Sequence, residues 1–356
     1  MKLLNMKMMV FLMAVTLTAV GFTQETGLPN VKILATGGTI AGSASSATSS
    51  SYAAGQVGIQ TMINAVPGIK ELANVSGEQI SNVGSQDISI VIWIKLANRI
   101  NELLATDDVD GIVVTHGTDT QEETAYFLSL VVKSDKPVVT TGSMRSSTSI
   151  SAEGPLNLYN SVAIAASKEA QGKGVMVSLN DQIHSARDVS KMNTTNVGSF
   201  VSPIKGIMGG VFYGRLGFFR EPTTRFGKSS EFSVEGKTSL PRVDIIYAYA
   251  DMSPDLIDMH VKAGAKGIVI AGVGNGNMTD ETLKAAKEAY EKHGVIVVRS
   301  TRAATGWVLR DNEFKDDDFY TIASHDLNPA KARILLMLSL ADGKKLPEMQ
   351  ELFYTY

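Results

Sequence analysis

The chain has 356 residues, 44% hydrophobic and 19% charged, with a net charge of −3. That length buries a full core and suggests two domains, and the near-neutral balance without a basic run argues against nucleic acid as a partner. The chain has no cysteine, which excludes disulfides, thiolate metal sites and a cysteine nucleophile, and the five histidines (His116, His184, His260, His293 and His325) show no metal-ligand spacing.

The first element is a leader. Lys2 and Lys7 make a basic start, Met8 to Val20 is a 13-residue apolar stretch, and Gly21-Phe22-Thr23 offers a place for cleavage. This is the layout of a secretory signal peptide over 1–23, too short for a membrane span. It predicts a periplasmic or secreted protein with no membrane attachment after cleavage.

A β-type run from Val31 then breaks at Ala35-Thr36-Gly37-Gly38-Thr39-Ile40. A serine-rich stretch over 42–51 has no anchor until Tyr52 and reads as a mobile loop. The run Gly111-Ile112-Val113-Val114 breaks in the same way at Thr115-His116-Gly117-Thr118-Asp119-Thr120. In open α/β sheets ligands bind outside the carboxyl ends of strands. Glycine there lets backbone approach a ligand and leaves N–H groups to face developing negative charge. Two such turns, 79 residues apart, point to a threonine-centred active site.

Thr120 caps the next helix, whose first turn holds Glu122 and Glu123 as charges complementing the helix dipole, and whose buried face includes Ala125, Leu128 and Val132. His116 reads as a support of its turn. Further strands lie at Pro137-Val138-Val139-Thr140-Thr141-Gly142 and Gly174-Val175-Met176-Val177-Ser178-Leu179. The polar stretch 221–241, with two prolines, reads as a linker between a domain over 24–220 and another over 242–356. Beyond it, strands around 243–247, 267–271 and 295–298 alternate with helices, one after Thr279 burying Leu283, Ala286 and Tyr290, and one opening with Asn328 as cap and Pro329. This predicts a second, smaller parallel α/β domain. Gly272-Val273-Gly274-Asn275-Gly276 lacks the spacing of a dinucleotide fingerprint. Asp316-Asp317-Asp318 reads as a solvated charge run.

Five motifs, in order, resemble the bacterial type II L-asparaginases of the asparaginase/glutaminase family. They are the two threonine turns, Gly84-Ser85-Gln86-Asp87, Asp188-Val189-Ser190-Lys191 followed by Asn193-Thr194-Thr195, and Ala271-Gly272-Val273-Gly274-Asn275-Gly276-Asn277. The resemblance implies a larger N-terminal α/β domain with a flavodoxin-like sheet and a smaller C-terminal one. It implies hydrolysis of L-asparagine to L-aspartate and ammonia through a threonine acyl-enzyme, with neither metal nor organic cofactor. Thr39 is assigned the nucleophile, with Gly38 beside it and Tyr52 closing over it. Thr118 lies across the substrate, turned toward Lys191, with Asp119 alongside; which threonine attacks first is open. A threonine needs a neighbouring base, and a lysine serves as one only where its site keeps it partly neutral. Ser85 and Gln86 receive the substrate α-carboxylate and Asp119 the α-ammonium, while Asn277 and Glu313 complete the site from a neighbouring subunit of a homotetramer.

Two departures from the common pattern stand out. Ser143-Met144-Arg145-Ser146 occupies positions where many relatives have alanine first and proline last, which opens the choice between asparagine and glutamine. Some exported relatives have a cysteine pair where this chain has Thr106 (or Leu104) and Ser134. The first departure leaves a dual glutaminase-asparaginase as a rival reading; two α/β domains behind a signal peptide leave, from another class, a periplasmic amino-acid binding protein.

Overall fold

The computed structural model describes residues 27–44, 46–48, 52–53, 55 and 57–356. The leader read over 1–23, and part of the 42–51 loop expected to be mobile, lie outside the described residues. The larger sheet has eight strands: β1 (Asn30–Gly37), β2 (Asn74–Val83), β3 (Gly111–Thr115), β4 (Val138–Thr141), β5 (Val175–Leu179), β6 (Gln182–Ser185), β7 (Gly209–Phe212) and β8 (Arg215–Phe218). They are ordered β8-β7-β6-β5-β4-β3-β1-β2. The five strands from β2 to β5 are parallel, and β6, β7 and β8 extend the sheet antiparallel.

The parallel order 2-1-3-4-5 is that of flavodoxin-like sheets, whose ligand crevice opens between β1 and β3, where the strand order reverses. Its central strands are covered on both faces, so burial does not alternate along them: every residue of β3, β4 and β5 is buried, the hydroxyl residues Thr115, Thr140, Thr141 and Ser178 included. On one face lies the helix Ile90–Leu104, capped by the Ser89 hydroxyl and burying Trp93, Ile94, Leu96, Ala97, Ile100 and Leu104 at helical spacing. The Trp93 indole stacks on Phe127 of the helix Gln121–Val131 at 5.0 Å.

The smaller sheet is parallel throughout: β9 (Val243–Tyr247), β10 (Gly267–Gly272), β11 (Ile296–Thr301) and β12 (Thr321–Ala323), adjacent in chain order. The helix after Thr279 and the helix Pro329–Ala341 both start as read, with Thr279 and Asn328 accepting from their first turns. The latter helix joins the two halves, for one hydrophobic cluster runs from Phe127 and Leu130 through Leu335 and Met337 to Val269 and Val298. The stretch 221–241 holds only the short 3-10 turn Gly227–Ser229, yet Phe232 and Val234 are buried and Phe232 packs on Tyr356, ring centroids 5.1 Å apart.

Candidate active site

The ends of β1 and β3 are adjacent, Ala35 opposite Thr115, and the Thr36 hydroxyl donates to the Thr115 carbonyl at 3.0 Å. The two glycine turns then meet face to face. A Cβ on Gly38 (φ +83°) would lie 2.3 Å from the Gly117 nitrogen, and one on Gly117 would lie 2.7 Å from the Ser85 hydroxyl. Only glycine permits that approach. The Gly38 N–H is not left to a ligand as the sequence suggested; it donates to the Val83 carbonyl at 3.1 Å.

Behind the second turn, His116 is fully buried. The Gly117 carbonyl can only accept, so His116 Nδ1–H donates to it (2.7 Å) and Nε2 accepts from the Thr124 hydroxyl (2.8 Å), which itself accepts from the Trp93 indole (2.7 Å). Burial pushes the imidazole pKa down to about 4, against the opposing pull of that carbonyl. A neutral histidine with both nitrogens engaged holds the turn.

Thr39 and Thr118 are both buried, 6% and 4% exposed, and border one cleft of about 290 Å³ together with Asp119 and Lys191. Lys191 lies on the short strand Ser190–Lys191, paired with Phe200–Val201. Its ammonium donates to the Thr118 hydroxyl at 2.9 Å and to Asp119 Oδ1 at 2.6 Å. Ser85 braces the same turn: its hydroxyl accepts the Asp119 N–H (3.1 Å) and its carbonyl accepts the Thr120 hydroxyl (2.7 Å). Thr120 stands at the N-cap as expected, but its hydroxyl donates to Ser85 and makes no capping bond to the helix. Gln86 is exposed beside it, its amide folded over Gly84. Tyr52 lies on the short strand Tyr52–Ala53, opposite Ala44.

Asn277 and Glu313 are placed elsewhere. They bond to each other, Asn277 Nδ2 to Glu313 Oε1 at 2.7 Å, and neither borders the cleft that holds Thr39. The loops bearing them are fastened by Arg299 of β11. Its guanidinium grips Asp316 with two bonds of 2.7 Å and donates to the carbonyls of Asn275 (3.2 Å) and Leu309 (3.1 Å). Asp316 is therefore not the solvated charge the sequence suggested. It is 0% exposed, because a buried arginine requires a buried carboxylate.

The sequence also missed several residues of the cleft. Ser146 borders it as expected, but its hydroxyl pairs with that of Ser149 at 2.7 Å, and Ser149 borders the cleft too. Thr194 and Thr195 join them on a turn closed by Asn193, whose side-chain Oδ1 accepts the N–H of Thr195 and of Asn196 at 2.9 Å. The signal for Thr194 and Thr195 was present: they follow Lys191 within a motif already singled out.

A flavodoxin-like sheet whose switch-point cleft presents two threonines, a lysine and a carboxylate defines a threonine-centred amidohydrolase. The comparisons with known proteins give the family. Residues 30–224 match the family described as Asparaginase, N-terminal, and residues 242–353 match the Glutaminase/Asparaginase C-terminal domain. The chain is 54% identical over 335 residues to L-asparaginase 2 of Bacillus subtilis (strain 168), covering 94% of this chain and 88% of that one. It is 48% identical to a glutaminase-asparaginase of Pseudomonas fluorescens biotype A, covering 93% and 92%. A solved structure of a probable cytoplasmic L-asparaginase from Campylobacter jejuni superposes with a TM-score of 0.89 at 46% identity, covering 92% of this chain and all of the other. The chain belongs to the asparaginase/glutaminase family. The binding-protein reading falls with that membership.

The expectation of a periplasmic or secreted location is corrected by the same likeness. The Campylobacter protein shares this fold over its whole length and is a probable cytoplasmic one.

Proposed function

We propose that this enzyme hydrolyses the side-chain amide of L-asparagine, giving L-aspartate and ammonia through an acyl-enzyme on threonine. The observation that carries the reading is the Lys191 ammonium bonded to both Thr118 and Asp119 in the cleft that also holds Thr39. In this reading Lys191 first gives up a proton to solvent, so that as the Thr39 oxygen attacks the amide carbon Thr118 takes its proton and hands its own to the free Lys191 amine. The same proton leaves on the departing nitrogen as the carbon–nitrogen bond breaks. A water then cleaves the ester, returning a proton to Thr39 and releasing aspartate. Threonine is a weak nucleophile at its free pKa, so the proton relay is what makes the attack possible.

Recognition follows from charge. Asp119, one oxygen held by Lys191, offers the other to the substrate α-ammonium. Ser85 and Gln86 take the α-carboxylate. Gly38 lets the turn bearing Thr39 close on the substrate, and Tyr52 covers it. Asn277 and Glu313, lying off the cleft of their own chain, serve a neighbouring subunit in a homotetramer of close dimers. The division into 24–220, a connecting 221–241 and 242–356 belongs to the same reading.

A second reading, comparable activity on L-glutamine, is favoured by the Ser146–Ser149 hydroxyl pair, which gives the cleft a polar wall. The two substrates differ by one methylene, which a pocket discriminates by about 1–3 kcal/mol. Ammonia release from asparagine and glutamine, compared as kcat/KM, decides between them. No ammonia from either would refute both.

A further inference from the structure

Lys191 needs more than its ammonium contacts, because a proton relay fails when its backbone drifts. The Lys191 N–H donates to Glu122 Oε2 at 2.7 Å. The other carboxylate oxygen, Oε1, accepts the Asn328 amide at 3.1 Å, and that amide also donates to the Ser190 hydroxyl at 3.2 Å. Asn328 is in turn fixed by its own capping bond, accepting the Lys331 N–H at 2.9 Å. The Lys331 ammonium, fully buried, donates to the carbonyls of Arg187 (2.9 Å) and Val189. The segment 187–191 is thus strung between the first turn of the helix Gln121–Val131 and the N-terminus of the helix Pro329–Ala341.

We propose that Glu122 is a positioning residue for Lys191, and that through Asn328 it ties the relay to the C-terminal half of the chain. The proposal rests on the role given to Lys191 above. Glu122 lies in the first turn of the helix that follows the Thr118 turn. Its two oxygens both accept, one from each half of the molecule, and a carboxylate is the side chain of that length able to do so. A glutamine at 122 would set its NH2 against either the Lys191 N–H or the Asn328 amide, donor against donor. An aspartate at 328 would set carboxylate against carboxylate. The two changes together restore every bond with the polarity at 328 reversed, since the glutamine amide donates to the aspartate, its oxygen accepts from Lys191, and the Ser190 hydroxyl turns to donate.

The test is kinetic, on the full-length enzyme. E122Q and N328D should each lower kcat by about ten- to a hundredfold, the cost of misplacing a reacting group by a fraction of an ångström to an ångström, with KM little changed. The double variant should recover most of that loss. Thermal melts of all three establish the folded fraction. The proposal is overturned by wild-type kcat in E122Q, by a double variant no better than the singles, or by a loss fully accounted for by unfolding. Lys191→Met, measured alongside, separates this proposal from the reading beneath it. If Lys191→Met is inactive while E122Q is normal, only the positioning role falls; if Lys191→Met keeps its rate, both fall.

Discussion

At the scale of single residues, Thr118 and His116 stand two positions apart in one turn and differ in exposure to chemistry. The Thr118 hydroxyl faces the cleft and accepts from Lys191; Thr118→Val keeps its shape and removes the acceptor. Turnover should fall by several powers of ten, as when a member of a catalytic unit is lost. Retention of more than about a tenth of the rate, a loss under about 1.4 kcal/mol, would remove Thr118 from the relay. His116 faces inward, and its signature is stability. Unfolded, its pKa is the ordinary 6.5; folded, burial holds it near 4. Between those values the unfolded chain binds a proton that the folded chain does not, so stability falls as pH drops through that window. At pH 5 the cost is about 2 kcal/mol for such a group. His184, also buried and pushed down to about 4 by burial and by Lys331 and Arg220, adds a similar term. Urea unfolding at pH 7.5 and pH 5 should show the loss, and His116→Gln should narrow the gap. A gap unchanged in the variant would mean that His116 already binds its proton in the folded chain.

At the scale of elements, what was legible in the sequence depended on how many neighbours each element has. The buried strands β3, β4 and β5 announce themselves as apolar runs between glycines, and their carboxyl ends mark the site. The edge strand β2 does not. Paired on one side only, Asn74–Val83 is largely polar and buries only Ile80, so it shows neither an apolar run nor a clear alternation. The residues that bind substrate in the proposed reading are concentrated in short motifs, whereas those that hold the motifs in place are distant partners that no local pattern reveals. Glu122 read as a dipole charge because Asn328, 206 positions away, is invisible from it. Asp316 read as solvated because its partner Arg299 sits in an apolar strand. That pair gives an element-scale prediction. Asp316→Asn leaves a buried guanidinium without its counter-charge, a change that costs about 3–5 kcal/mol. Chemical denaturation should show a loss of that size, and KM should rise as the loops of Asn277 and Glu313 loosen. A variant as stable as the parent would show that water or another acceptor reaches Arg299.

At the scale of the whole molecule, the two halves share a core, yet a single chain leaves the Asn277–Glu313 pair away from its own cleft. A carboxylate is useful to a substrate ammonium only where the two meet in a site closed against water. If the pair serves an adjoining subunit, a defect in Thr39 and a defect in Glu313 on different chains fall in different combinations of sites. Thr39→Ala chains and Glu313→Ala chains should each be nearly inactive alone. Co-expressed, a mixed dimer holds one site with both defects and one with neither, so a single intact site per mixed dimer should restore activity. Tagging each chain separately and purifying through both tags isolates the mixed species, and its ammonia release per site is the measurement. Activity near half that of the parent per dimer would establish the shared site. Inactivity of a proven mixed dimer would show that each chain builds its site alone, and that the bond between Asn277 and Glu313 only braces the loops held by Arg299.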